Sequence, residues 1–186
     1  MPNKALCNGG RQAVFFSAVT SLLLDISRLF HGRLLGRVLT GIDRVSLEYV
    51  RHYAGRARAV LGARPFFSVL SQPESARAFR ALLGPRQGAP GELATLVMRA
   101  YVRWWSRADV AGSVLLNTTH TGLESAGYAA ALRLRGARPV FFVHDLIPIT
   151  HPQYCRPGEL PRHVARMRTA LTVAQGIVTP SRHTLD

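Results

Sequence analysis

Short apolar runs alternate with longer amphipathic stretches along this chain. The runs are Leu22–Asp25, Phe66–Leu70, Val114–Asn117, Val140–Val143 and Ile177–Thr179. Their length and their aliphatic or aromatic side chains predict strands buried on both faces of a parallel sheet. Between them the pattern turns helical. Thr40-Gly41-Ile42-Asp43 has the Thr-x-x-Asp spacing of a capping box, and Ile42, Val45, Tyr49, Val50 and Tyr53 give the helix a buried face. Further helices are predicted over Pro73–Leu83, Glu92–Arg107 and Leu123–Leu134, and from Gly158-Glu159, where Pro161 suits a first turn. In that last helix Leu160, Val164, Met167, Leu171 and Ala174 recur at steps of four and three. They predict one buried stripe, with Arg162, His163, Arg166 and Arg168 outside it. Gly176 ends the helix, and Ser181 is placed to cap another. Ser27–Leu39, rich in Arg and Gly, and Gly84–Gly91 predict loops. Strands alternating with helices at this spacing predict βαβ units. The fold class expected is α/β, a Rossmann-like parallel sheet with helices on both faces.

Composition narrows this little. With 186 residues, 47% of them apolar and 18% charged, the chain can bury one ordinary core and is not of the disordered class. Net charge is +14, and all 24 basic residues but Lys4 are arginine. Such an excess suits nucleic acid, acidic lipid or phosphorylated substrates, yet coding bias toward Arg, Ala and Gly gives the same numbers. Cys7 and Cys155 stand far apart, with no disulfide framework or zinc spacing, which is compatible with a reducing cytosol. Lys4 and Arg11 precede an apolar run, Ala13–Leu24, of signal-peptide length. No small-x-small cleavage site follows it, and the run is too short to span a bilayer. Residues 1–20 therefore read as a poorly ordered leader, and residues 21–186 as the domain. The expected location is cytoplasmic, with peripheral contact at the inner face of the membrane as an option.

Candidate chemistry gathers where strands end. His144-Asp145 follows Val140–Val143, and open α/β sheets collect ligands beyond the carboxyl ends of their strands. His144 either handles a proton or hydrogen bond at a reaction centre or caps the strand end. Asp145 either orients His144 or bonds the loop backbone. Asn117-Thr118-Thr119-His120 closes another strand on the same edge, which makes Asn117 and His120 substrate-binding candidates. Thr40-Gly41, at a helix start after a glycine-containing loop, is a natural phosphate site. Neither the dinucleotide fingerprint nor the P-loop spacing is present. His120, His151 and His183 read more often as surface or loop-fixing residues than as ligands, although His144, Asp145 and His151 make a metal site possible on paper. Trp104-Trp105, flanked by Arg99, Arg103 and Arg107, either meets a membrane surface or packs against the sheet.

Four short motifs, taken in order, carry a resemblance. Asp25-Ile26-Ser27-Arg28-Leu29, Thr40-Gly41-Ile42-Asp43-Arg44-Val45, Val143-His144-Asp145-Leu146-Ile147-Pro148-Ile149-Thr150-His151-Pro152 and Val178-Thr179-Pro180-Ser181-Arg182-His183-Thr184 resemble the N-terminal half of bacterial family 4 glycosyltransferases of the GT-B fold. The resemblance covers the chain from about Leu22 onward. It implies two Rossmann-like domains across a cleft, the first shaping the acceptor site and the second holding the sugar nucleotide through a paired-glutamate motif. The implied activity, in polysaccharide biosynthesis, is transfer of a sugar from a nucleotide-sugar to a lipid-linked or polysaccharide acceptor, with no cofactor or metal. His144 and Asp145 fall at the cleft edge as catalytic candidates, and Gly41 with its neighbours near the donor phosphates. Because the helix at Ser181 has barely begun by Asp186, the sequence reads as the acceptor-side half, inactive alone. A non-catalytic binding module or remnant is the alternative. An arginine-rich nucleic-acid binder ranks last, since no recognition motif interleaves aromatic with basic residues.

Overall fold

In the computed structural model the described residues are 21–63, 66–85, 90–102, 110–120 and 122–185. The chain runs β1 (Leu22–Asp25), α1 (Ser27–Leu34), α2 (Gly41–Tyr53), β2 (Ala57–Ala63), β3 (Phe66–Val69), α3 (Gln72–Leu83) and α4 (Pro90–Val102). It continues through β4 (Val114–Asn117), α5 (Ala126–Leu134), β5 (Arg138–Phe142), α6 (Ile147–Thr150) and a 3-10 turn at Pro152–Tyr154. It then forms α7 (Glu159–Val173), β6 (Gly176–Val178) and α8 (Arg182–Leu185). The strands form one sheet in the order β3-β2-β1-β4-β5-β6. All neighbours are parallel except β2 and β3. This is a mixed α/β architecture consistent with a Rossmann-like fold, as the alternation of runs predicts.

Both faces of the central strand β1 are covered, and its period of two shows how. Leu24 turns to a layer built by α1 to α4, with Ile26, Leu29, Phe30, Val50, Phe79, Leu82 and Leu96. Leu23 turns to the other layer, built around Leu115, Leu123, Tyr128, Leu132, Phe141 and Ala170. At the β6 edge Ile177 is only half-buried and Val178 exposed, so that run is not buried on both faces as predicted. Helix starts follow from local chemistry. Thr40 accepts from the Asp43 amide while the Asp43 carboxylate accepts from the Thr40 amide, the capping box expected from the spacing. Ser71 and Glu74 repeat the device at α3. Ser181 takes the Thr184 amide at 3.3 Å, as a cap should.

Several expectations need correction. Ser27–Leu39 is not a loop throughout. Its first eight residues form α1, whose buried Leu29 and Phe30 supply the apolar anchor that its arginines and Gly32 conceal. Strand β2 has no counterpart among the predicted runs. Ala57-Arg58-Ala59-Val60-Leu61-Gly62-Ala63 is poor in β-favouring residues, but Ala57, Ala59 and Val60 are fully buried. Small side chains there let α3 lie close enough for Ser75 Oγ to accept from the Ala59 amide at 2.9 Å. With β2 present, the run at Phe66 becomes an antiparallel edge strand rather than a parallel one. Helix α4 starts at Pro90, inside the predicted loop, and α5 starts at Ala126 rather than Leu123. The residues that include Trp104, Trp105, Arg103 and Arg107 lie outside the described ones, as does the predicted leader, 1–20. Among the described residues no helix is long and apolar enough to cross a membrane.

The stripe on α7 also turns out differently. Leu160 and Leu171 are exposed, whereas His163 and Ala170 are buried. The N-terminal half of α7 meets charged groups at the sheet edge, with Arg166 and Arg162 against Glu124 at 3.4 Å. Spacing of apolar residues alone does not reveal that partner.

Candidate functional site

Strand order reverses direction between β1 and β4, so their carboxyl ends flank the crevice where doubly wound sheets bind ligands. Asp25 ends β1 there and is buried. Its carboxylate accepts from the Ser27 amide at 2.9 Å, the Ser27 hydroxyl at 2.5 Å, Tyr128 at 3.2 Å and Asn117 Nδ2 at 3.4 Å. Burial pushes the carboxyl above its ordinary range, against the pull of the Ser27 and Tyr128 hydrogen bonds. Tyr128 in turn is held well above its usual value by burial and by Asp25. Asn117 is fully buried, and its Oδ1 accepts from the Thr119 amide at 3.2 Å. It thus reaches the crevice through Asp25 and the turn it shapes.

Thr118 joins the two parts of the edge. Its hydroxyl lies 2.9 Å from Ser46 Oγ on α2, and its carbonyl lies 2.8 Å from His144 Nε2. A carbonyl only accepts, so the neutral imidazole of His144 carries its proton on Nε2 and keeps a lone pair on Nδ1. The ring also packs on Phe142, with centroids 4.5 Å apart. Its orientation and tautomer are therefore fixed from two sides. Asp145 does not share in this. Its Oδ1 accepts from the Ile147 amide at 3.1 Å and starts α6, which is the loop-bonding role of the two the sequence offered.

Two more imidazoles close on His144. His120 lies 5.4 Å from it and 5.9 Å from His163, ring centre to ring centre. His120 and His163 are each only 4% exposed, and the Nε2 of each has no hydrogen-bond partner among the described residues. The other nitrogen of His120 bonds the Phe142 backbone, and that of His163 bonds the Asp145 backbone. Burial, then the neighbouring His144 and His163, pull the His120 pKa down to about 4. Burial also lowers that of His163. His120 holds a φ of +59°, a left-handed conformation uncommon outside glycine.

Thr40 and Gly41 sit at the start of α2, whose Ser46 contacts Thr118. The Asp43 carboxylate takes Thr40 on one oxygen and Arg28 Nε on the other at 2.8 Å. Burial alone would raise the Asp43 pKa, but the Thr40 and Arg28 hydrogen bonds outweigh it and hold it below the usual range. Gly41 is open: a Cβ there would meet no atom within 4 Å.

His144, His120, Asn117 and the Thr40–Gly41 helix start are thus tied into one edge, largely through Thr118. Sequence reasoning missed Asp25, Tyr128 and His163. An aspartate closing a buried apolar run was the available signal for the first. His163 had none, because it lies outside the apolar stripe of its helix, among arginines. His151 stands apart, with its Nδ1 2.9 Å from Thr150 Oγ1, and no metal-holding group of His, Cys, Asp or Glu occurs among the described residues. The His183 side chain is outside the described set. No protein-family model, curated protein or solved structure matches the chain.

Proposed function

We propose that this chain is the acceptor-side half of a GT-B glycosyltransferase resembling family 4, taking a sugar from a nucleotide-sugar to a lipid-linked or polysaccharide acceptor. The observation that carries the reading is His144, whose Nε2 is pinned to the Thr118 carbonyl at 2.8 Å at the carboxyl edge of the sheet. That bond leaves Nδ1 as the basic atom. It suits an imidazole that accepts the proton of an acceptor hydroxyl as its oxygen bonds the anomeric carbon and the bond to the nucleotide diphosphate breaks. Asp145 holds the following loop, and the open helix start at Gly41 leaves room for the donor phosphates. In this reading the donor is bound mainly by a second domain, the protein works in the cytoplasm at the inner face of the membrane, and no metal takes part.

Ligand-observed NMR on the chain, with lipid-phosphate and oligosaccharide acceptors, tests this. One acceptor class should bind and shift the His144 imidazole resonances, and His144→Ala should weaken that binding while thermal stability holds. If no acceptor binds, or if binding is indifferent to His144→Ala, the transferase reading fails and a non-catalytic module remains.

A further inference from the structure

We propose that the end of α1 and the turn after it form a docking face for an anionic lipid bilayer. The inference does not depend on the transferase reading. Leu34, Leu35 and Val38 stand 37%, 55% and 79% exposed within five residues of one another in sequence. Leu83, at the end of α3, is exposed beside them, because Arg33 Nη2 donates to the Gly84 carbonyl at 3.1 Å and also to Pro85, drawing the two helix ends together. The core takes Leu29 and Phe30 from α1 and leaves these aliphatic tips in solvent. Single exposed leucines are ordinary, but aliphatic side chains gathered in one place mark an interaction surface.

Charge selects the partner. From Ile26 to Ile42 there is no acidic residue, while Arg28, Arg33 and Arg37 fall in that stretch. Arg28 is committed to Asp43. Arg33 is held by two carbonyls, which orient its charge without neutralising it. Arg37 is exposed, and so is Arg80, one turn before Leu83. Glu74, the acidic residue of α3, is buried in its capping box at the far end. Exposed aliphatic tips with exposed arginines close by in sequence match the depth profile of an anionic bilayer surface, with apolar groups below the phosphates and arginines level with them. A second copy of this face would set arginine against arginine. Nucleic acid would match the charge but offers no aliphatic layer for Leu35 and Val38. The hollow between Leu29, Arg33, Arg37, Leu39, Leu47 and Leu82 is about 30 Å³, the share of one water molecule, so it is no ligand pocket. The face acts as a surface.

Flotation of the 186-residue chain with phosphatidylcholine vesicles, with and without phosphatidylglycerol, tests the inference. Binding should require phosphatidylglycerol and weaken with salt. Arg37→Gln should lower the partition coefficient about fivefold, the effect of one basic residue near such a surface. Leu35→Asp and Val38→Asp should lower it further, with unchanged melting curves because the replaced side chains are exposed. Independently of any variant, hydrogen exchange over residues 33–40 should slow when phosphatidylglycerol vesicles are added. The proposal is overturned by absence of flotation, by equal flotation with neutral vesicles, or by flotation that survives both aspartates. It is also overturned if Val38→Asp dissociates a dimer of the wild-type chain, or if the chain binds RNA but not vesicles.

Discussion

Acid should act on this domain first through His120. The ring is buried, and protonating it in place sets a cation beside His144, His163 and Arg166. Its pKa falls from the ordinary 6.5 to about 4, so the unfolded chain binds this proton more readily than the folded one. The sign follows. Stability is full above pH 6.5, falls as the pH drops through the interval, and has lost the whole contribution below about 4. The difference is worth about 3 kcal/mol, a large share of the 5–15 kcal/mol typical of a domain. His163 is lowered as well and loses stability in the same direction, so comparison with a variant, rather than the pH curve alone, singles out His120. The carboxylates are separable. Asp43 is held below 3.8 and loses its contribution only under that value. Asp25 is raised and works in the opposite direction, gaining stability as acid protonates it.

The comparison that isolates His120 is with His120→Asn, since asparagine tolerates the left-handed backbone at φ +59°. Loss of the ring adds a roughly constant penalty at every pH. What should change is the slope: the variant's deficit measured by urea unfolding at neutral pH should shrink by about 3 kcal/mol by pH 4. Imidazole NMR titration reads the same quantity directly. A His120 that titrates near 6.5, or two stability curves that run parallel down to pH 4, would refute the reasoning.

Two further outcomes test the local structure. Asp43→Ala should destabilise the domain by about 1–2 kcal/mol, through loss of the cap and of the Arg28 pair, with the full penalty at neutral pH and a smaller one as acid protonates the wild-type carboxylate; thermal melts across pH check this. On α7, Leu171→Lys should change stability by no more than about 0.5 kcal/mol, and Ala170→Leu should cost about 1–3 kcal/mol by overpacking. The reverse ranking would mean that the helix presents the stripe its sequence suggested.

The legible parts of the fold are those set by local rules. Thr40-x-x-Asp43 announces a capping box because both halves of the bond lie within four residues, and Val140–Val143 reads as a strand from its own side chains, although Val140 and Phe142 are only half-buried. What stays hidden depends on partners distant in sequence. Strand β2 is made of Ala, Arg and Gly, and it is a strand because β1 and β3 pair with it and α3 presses on Ala59. The antiparallel edge follows from that unseen strand. Helix α7 carries an apolar stripe, yet Glu124 and the backbone of Asp145 draw Arg166 and His163 inward. At the candidate site the same division holds. His144 and His120 were legible as polar residues closing apolar runs. Asp25, Tyr128 and His163 join them only through contacts spanning about 40 to 100 residues.

The departures from local rules are not scattered. A left-handed histidine, two buried imidazole nitrogens with no partner among the described residues and a carboxylate raised by burial all lie at the carboxyl ends of β1, β4 and β5 or on the helix packed over them. Each is unfavourable alone: an unpartnered buried polar atom costs on the order of 1–3 kcal/mol, and a non-glycine residue at positive φ adds strain of similar size. A scaffold could place leucine at His163 or glycine at His120 and be more stable. Concentration of such groups at the reversal of strand order is what a binding edge requires, because polar atoms left without protein partners are those able to bond a ligand. His120 and His163 therefore belong with His144 in any test of acceptor binding, although of these three histidines the sequence offers only His144 as a catalytic candidate.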